Sequence, residues 1–187
     1  ELPKDCDQAH IDFIDQCHKY DIPIDGWQLS SGYTATEESN HTKRCVFTWN
    51  KERFPSPAQF FDRMADKGIV VSPNIKPAML RDFHPLYDSF AEKGAFVYKH
   101  STRNNMTNEI HERVPYIGTW WGGKGSFVDF TNPTGRAAWS QAMTEQLILI
   151  DDDNGGDGNS AATVSGTSSI WNDNNEYDST VIGHGDP

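Results

Sequence analysis

The stretch Ser56–Lys76, SPAQFFDRMADKGIVVSPNIK, contains a complete helix-to-strand unit. Ser56 stands where a helix N-cap belongs, Pro57 opens the first turn, and Phe60, Phe61 and Met64 recur on one face. Gly68 stops the helix, and IVVSPNIK, residues 69–76, follows at once as a strand. Upstream, Ile11, Phe13, Ile14 and Cys17 recur at helical spacing over residues 7–20, and IPIDGWQL, residues 22–29, reads as a buried strand. Downstream, Pro85 to Lys93 makes a short helix closed by Gly94, after which AFVYK, residues 95–99, reads as another strand. Residues 133–150 begin with proline and form the longest helical stretch, and SSIWNDNNE, residues 168–176, is a strand with a polar end.

Helices alternating with strands at this spacing mean parallel strands joined by right-handed crossovers. An open doubly wound sheet and a barrel both satisfy that rule. No GxGxxG follows the first strand and no Walker sequence is present, so the nucleotide-binding open sheets lose their signature. The reading is α/β, the first four βα units of a (β/α)8 TIM barrel, with residues 1–187 as a single partial catalytic domain. Two segments, 100–115 and 151–166, read as loop insertions.

The 187 residues, 36% hydrophobic and 12% aromatic, suffice for one core. A formal charge of −11 repels phosphate backbones and anionic lipids, which argues against nucleic acid or a membrane as a partner. No apolar run reaches the roughly 18 residues of a membrane span, and Glu1 is not followed by the pattern of a signal peptide. Cys6, Cys17 and Cys45 are odd in number and lack CxxC spacing, so they indicate neither a disulfide framework nor a zinc site. Asp151, Asp153 and Asp157 lack EF-hand spacing and read as a solvated loop, so no metal is expected. Asn40 and Asn105 begin glycosylation sequons, which permit a secretory compartment without requiring one.

Polar residues gather just past the strand ends: Ser30 and Ser31, then Asn74 and Lys76, then Asp173 to Glu176. In a barrel these positions share the rim on which active sites are built. Trp27, Trp120 and Trp121 join them, and aromatic faces beside hydrogen-bonding groups suit sugar rings. For Trp27 and Trp139, packing in the core is an equally good account.

The segment IWNDNNE, residues 170–176, resembles the W-x-D-x-N-E nucleophile motif of glycoside hydrolase family 31. RCVFTWNKERFPSP, residues 44–57, and WWGGKGSFVDFTNP, residues 120–133, resemble two further blocks of that family, in the same order. The resemblance runs from about residue 10 to 178. It implies a retaining α-glycosidase of the TIM-barrel type without a cofactor, acting on an α-linked sugar. Asp173 would be the nucleophile, Trp121 and Asp129 would lie beside the site, and Asn175 and Glu176 would support it. Substrate contacts are expected from Trp121, Asp129, Asn74, Lys76, Trp27 and Asn172. The chemistry agrees: retention needs an ionised carboxylate on the anomeric face and a protonated acid about 5–5.5 Å away.

Some positions depart from the family. An aspartate that binds the far hydroxyls of the terminal sugar is replaced by Leu29, which points to galactose, N-acetylgalactosamine or xylose as alternatives to glucose. A D-P-x-I block reads Ser72-Pro73-Asn74-Ile75, leaving Asn74 and Lys76 as candidate ligands. The acid/base follows later strands in the family, and neither Glu176 nor Asp178 matches its position, so the chain by itself is expected to be inactive. Three alternatives stand beside hydrolysis: transfer or elimination through the same Asp173, a noncatalytic or degenerate carbohydrate-binding fragment, and an unrelated open-sheet binding protein.

Overall fold

The computed structural model describes residues 6–34, 43–99, 114–120, 122–150 and 166–175. These divide into two compact units. One comprises Glu1–Thr36, Val46–Ile75 and Ala142–Asp173, and the other Glu37–Cys45, Lys76–Gln141 and Asn174–Pro187.

In the first unit, helix α1 (Cys6–Lys19) buries Ile11, Ile14 and Cys17, one stripe at helical spacing. Helix α2 (Pro57–Asp66) starts at its proline and buries Phe60, Phe61 and Met64, as the spacing predicts. Ser56 is its N-cap residue, but no side-chain capping bond forms. Gly68 closes the helix at φ 76°, a left-handed conformation that glycine adopts without Cβ strain. The helices are tied by Arg63 to Gln8 at 2.6 Å and Lys67 to Asp15 at 2.5 Å. Strands β1 (Gly26–Leu29) and β2 (Val70–Ile75) run parallel, with Trp27 opposite Val71. A third parallel strand, β6 (Trp171–Asn172), pairs with the end of β2, giving the order β1-β2-β6.

The second unit holds an antiparallel sheet that the sequence reading lacks. Strands β3 (Ala78–Leu80), β4 (Gly118–Trp120) and β5 (Gly123–Phe127) lie in the order β3-β5-β4. Ala78, Leu80, Trp120 and Phe127 pack with Cys45, flanked by Phe83 and Val97. Helix α3 (Tyr87–Glu92) stops at Gly94, φ 72°, where the sequence puts the stop. Helix α4 (Pro133–Met143), which belongs to this unit up to Gln141, begins at its proline; the π-helical turn Thr144–Ile148 belongs to the first unit.

Two expectations are corrected. AFVYK is not a strand: Phe96 bridges Val128 and Tyr98 bridges Pro115, so no two successive pairs share one neighbour and no ladder forms. The described parallel sheet therefore has three strands where four were expected. IPIDGWQL is neither long nor buried as a strand; β1 keeps four residues, with Gly26 and Gln28 exposed and Leu29 buried. It stands at one edge of the described sheet, where alternate residues face solvent. None of the three cysteines is in a disulfide. Among the described residues no helix is long and apolar enough to cross a membrane. The segments 100–113 and 151–165, which carry most of both expected insertions, lie outside the described residues, as do Asn40 and Asn105.

Candidate active site

The first unit brings Asn74 and Asp173 together, 99 positions apart in the chain. The cause is strand pairing: Asn74 sits opposite Trp171 and Ile75 opposite Asn172, and the Asp173 N–H extends the ladder by donating to the Ile75 carbonyl at 3.0 Å. Asn74, paired within β2, and Asp173, one residue past β6, are then diagonal neighbours on one face of the sheet, and their side chains meet across the seam. The Asn74 Nδ2 amide donates to the Asp173 Oδ2 at 3.0 Å. Asn74 is 3% exposed, whereas Asp173 is half-buried. The Asn74 Oδ1 is buried without a hydrogen-bond partner among the described residues, an arrangement that costs about 1–3 kcal/mol until something donates to it.

Tyr33 completes this arrangement, and the sequence reading assigned it no role. It ends a 3-10 turn, Ser31–Tyr33, just past β1, and its hydroxyl donates to the Asn74 main-chain carbonyl at 2.9 Å. The ring is 1% exposed and packs on Trp49 at 4.7 Å between centroids. Burial pushes its ionisation well above the usual phenol range, so the hydroxyl stays a donor at any working pH. The one signal available was a hydroxylated aromatic directly after a polar strand end. Below the rim, the Ser72 hydroxyl donates to the Ser169 hydroxyl at 2.8 Å, and Thr167 bonds the Val71 carbonyl. These cross-links pin the segment leading into β6 onto β2.

In the second unit the Lys76 ammonium donates to Asn174 Oδ1 at 2.5 Å, and Lys76 is 6% exposed. Asn174 has φ 50°, a left-handed conformation that asparagine tolerates better than most residues. Asp129, also in this unit, uses Oδ1 to accept from the Thr131 N–H at 2.9 Å and the Thr131 hydroxyl at 2.6 Å. That turn leads into α4, so at least one Asp129 oxygen is engaged in local structure.

The remaining expected residues are placed as follows. Trp27 packs against α1, edge-on to His10 at 5.4 Å and tilted on Phe13 at 5.3 Å, and its buried Nε1 has no partner among the described residues. Asn172 and Asn175 are exposed. Trp121 and Glu176 lie outside the described residues. Among the described residues no group of three His, Cys, Asp or Glu side chains is arranged to hold a metal ion.

Residues 4–186 match the model of the glycosyl hydrolases family 31 TIM-barrel domain. "Alpha-glucosidase 2" of Bacillus thermoamyloliquefaciens is 30% identical over 156 residues, which are 83% of this chain and 16% of that protein. Alpha-xylosidase XylQ of Lactiplantibacillus pentosus is 28% identical over 142 residues, 76% of this chain and 16% of the relative. The chain thus spans about a sixth of the length of these relatives. Among solved structures, the Glc1Man2-bound glucosidase II alpha subunit superposes with a TM-score of 0.61 at 22% identity, over 89% of this chain and 15% of that one. A Flavobacterium johnsoniae GH31 dextranase complexed with glucose gives 0.58 at 21%, over 76% and 16%. The chain belongs to the TIM-barrel domain of glycoside hydrolase family 31.

Proposed function

We propose that the protein carrying this chain is a retaining α-glycosidase that removes terminal α-linked sugars through a covalent intermediate on Asp173. The observation that carries the reading is the Asp173 carboxylate held by Asn74 at the joined ends of β2 and β6. A strand-end aspartate whose carboxylate is held in place by a neighbouring amide is suited to act as a nucleophile on the barrel rim.

In the first step an Asp173 oxygen forms an ester bond to the anomeric carbon. The bond from that carbon to the leaving oxygen breaks, and the leaving oxygen takes a proton from a carboxylic acid. In the second step water, deprotonated by the same acid/base residue, opens the ester and restores the carboxylate. That acid comes from a later part of the barrel, since neither Glu176 nor Asp178 stands at the family's acid position. In this reading the chain supplies the nucleophile's half of the chemistry and is inactive by itself.

In this reading Asn74 serves the sugar through the Asp173 carboxylate that its amide holds. Sugar contacts from Trp121, Asp129, Lys76 and Asn172, with Asn175 and Glu176 as support, are what the family resemblance adds to this reading. Leu29, standing where many family members carry an aspartate, favours a terminal sugar other than glucose, such as galactose, N-acetylgalactosamine or xylose.

The test is Asp173→Ala in the full polypeptide. Turnover of the best aryl α-glycoside should fall by about 10⁴-fold or more, and azide should restore turnover while giving a glycosyl azide of inverted configuration. A variant that keeps its activity would refute the assignment. So would inverted first product from the unmodified enzyme.

A further inference from the structure

Asn74 is bound at both its backbone and its side chain in a way that sugar contact alone does not require. We infer that Asn74 is the positioning residue of Asp173, with Tyr33 holding Asn74 in place. The inference rests on Asp173 being the nucleophile.

The geometry has three parts. The Asp173 backbone is fixed to β2 by its N–H bond to the Ile75 carbonyl, and its carboxylate is fixed to the same strand end by the Asn74 amide, both at 3.0 Å. Backbone and carboxylate are thus registered to one element, which sets the direction in which the second carboxylate oxygen points. Next, the Asn74 carbonyl receives the Tyr33 hydroxyl at 2.9 Å inside the core. Tyr33 is 1% exposed and its ring is braced by Trp49, so the donor has little room to move. Finally, the Asn74 amide is satisfied at one end only: its N–H meets Asp173 while its Oδ1 lacks a partner among the described residues. A residue kept for packing alone would be apolar here, because an unpaired buried amide oxygen is destabilising. The one bond its side chain makes therefore accounts for an asparagine at this position.

An N–H donated to a carboxylate favours its ionised form, the form that attacks. A tether on one oxygen also removes a rotation that would otherwise be lost in the transition state. Both effects act on the glycosylation step.

The experiment uses the full polypeptide and 5-fluoro-α-glycosyl fluorides of glucose, galactose, N-acetylgalactosamine and xylose, taking the fastest and reading the maximal inactivation rate separately from the half-saturating concentration. Asn74→Ala should lower the maximal rate by about ten-fold or more, whatever its effect on half-saturation, with the label still on Asp173. Asn74→Leu, close in size but without the amide donor, should lower it at least as much; it decides the matter if the alanine variant does not fold. A folded variant with an unchanged maximal rate and only weaker saturation overturns the positioning role while leaving Asp173 as nucleophile. A label on another carboxylate, or none from any of the four sugars, removes the nucleophile reading and this inference together.

Discussion

Asn74 is almost wholly buried, yet only one end of its amide is satisfied among the described residues, and that end meets Asp173. A polar position at or just past a strand end was enough to mark Asn74, Lys76 and Asp173 in the sequence. Their pairing was not legible, because it depends on the β2–β6 register, and a two-residue strand leaves almost no periodic signal. Tyr33 escaped for a related reason: it lies in a 3-10 turn, and only the folded chain brings its hydroxyl to residue 74. Burial also governs Cys45, whose thiol is fully enclosed and pushed up to about 12 from an ordinary value of 9.0. The folded value lies above the unfolded one, so its contribution to stability is present below about pH 9 and is lost as pH rises toward 12. At pH 8 a thiol reagent should therefore leave Cys45 unmodified in the native protein and reach it once denaturant is added; modification at the same rate in both states would contradict its burial.

Helices α1 and α2 and the glycine stops were readable because apolar spacing and terminal residues act locally. The β3-β5-β4 sheet was not. Its central strand, GKGSF, has no β-branched residue and two glycines, so propensity argues against it. The fold overrides propensity by close approach: a Cβ at Gly125 would lie 2.1 Å from the Met79 carbonyl oxygen, nearer than atoms pack. Only glycine lets Leu80 and Gly118 both stand opposite this residue. Gly125→Ala should force β3 and β5 apart and lower stability by about 2–4 kcal/mol, measured by urea unfolding. A loss under about 0.5 kcal/mol would mean that the strands can shift without penalty.

Over the whole chain, the three ordered sequence blocks pointed toward a family 31 TIM barrel, and the family match over residues 4–186 agrees. What the chain shares with its relatives is a segment about a sixth of their length, a division that in the proposed reading leaves the nucleophile, Asp173, within this segment. That division makes one measurement decisive. The full polypeptide would be inactivated with the fastest of the 5-fluoro-α-glycosyl fluorides, digested, and its sugar-bearing peptide sequenced by tandem mass spectrometry. A single glycosyl ester on Asp173 is the expected result, and a stable ester on any other carboxylate would contradict it.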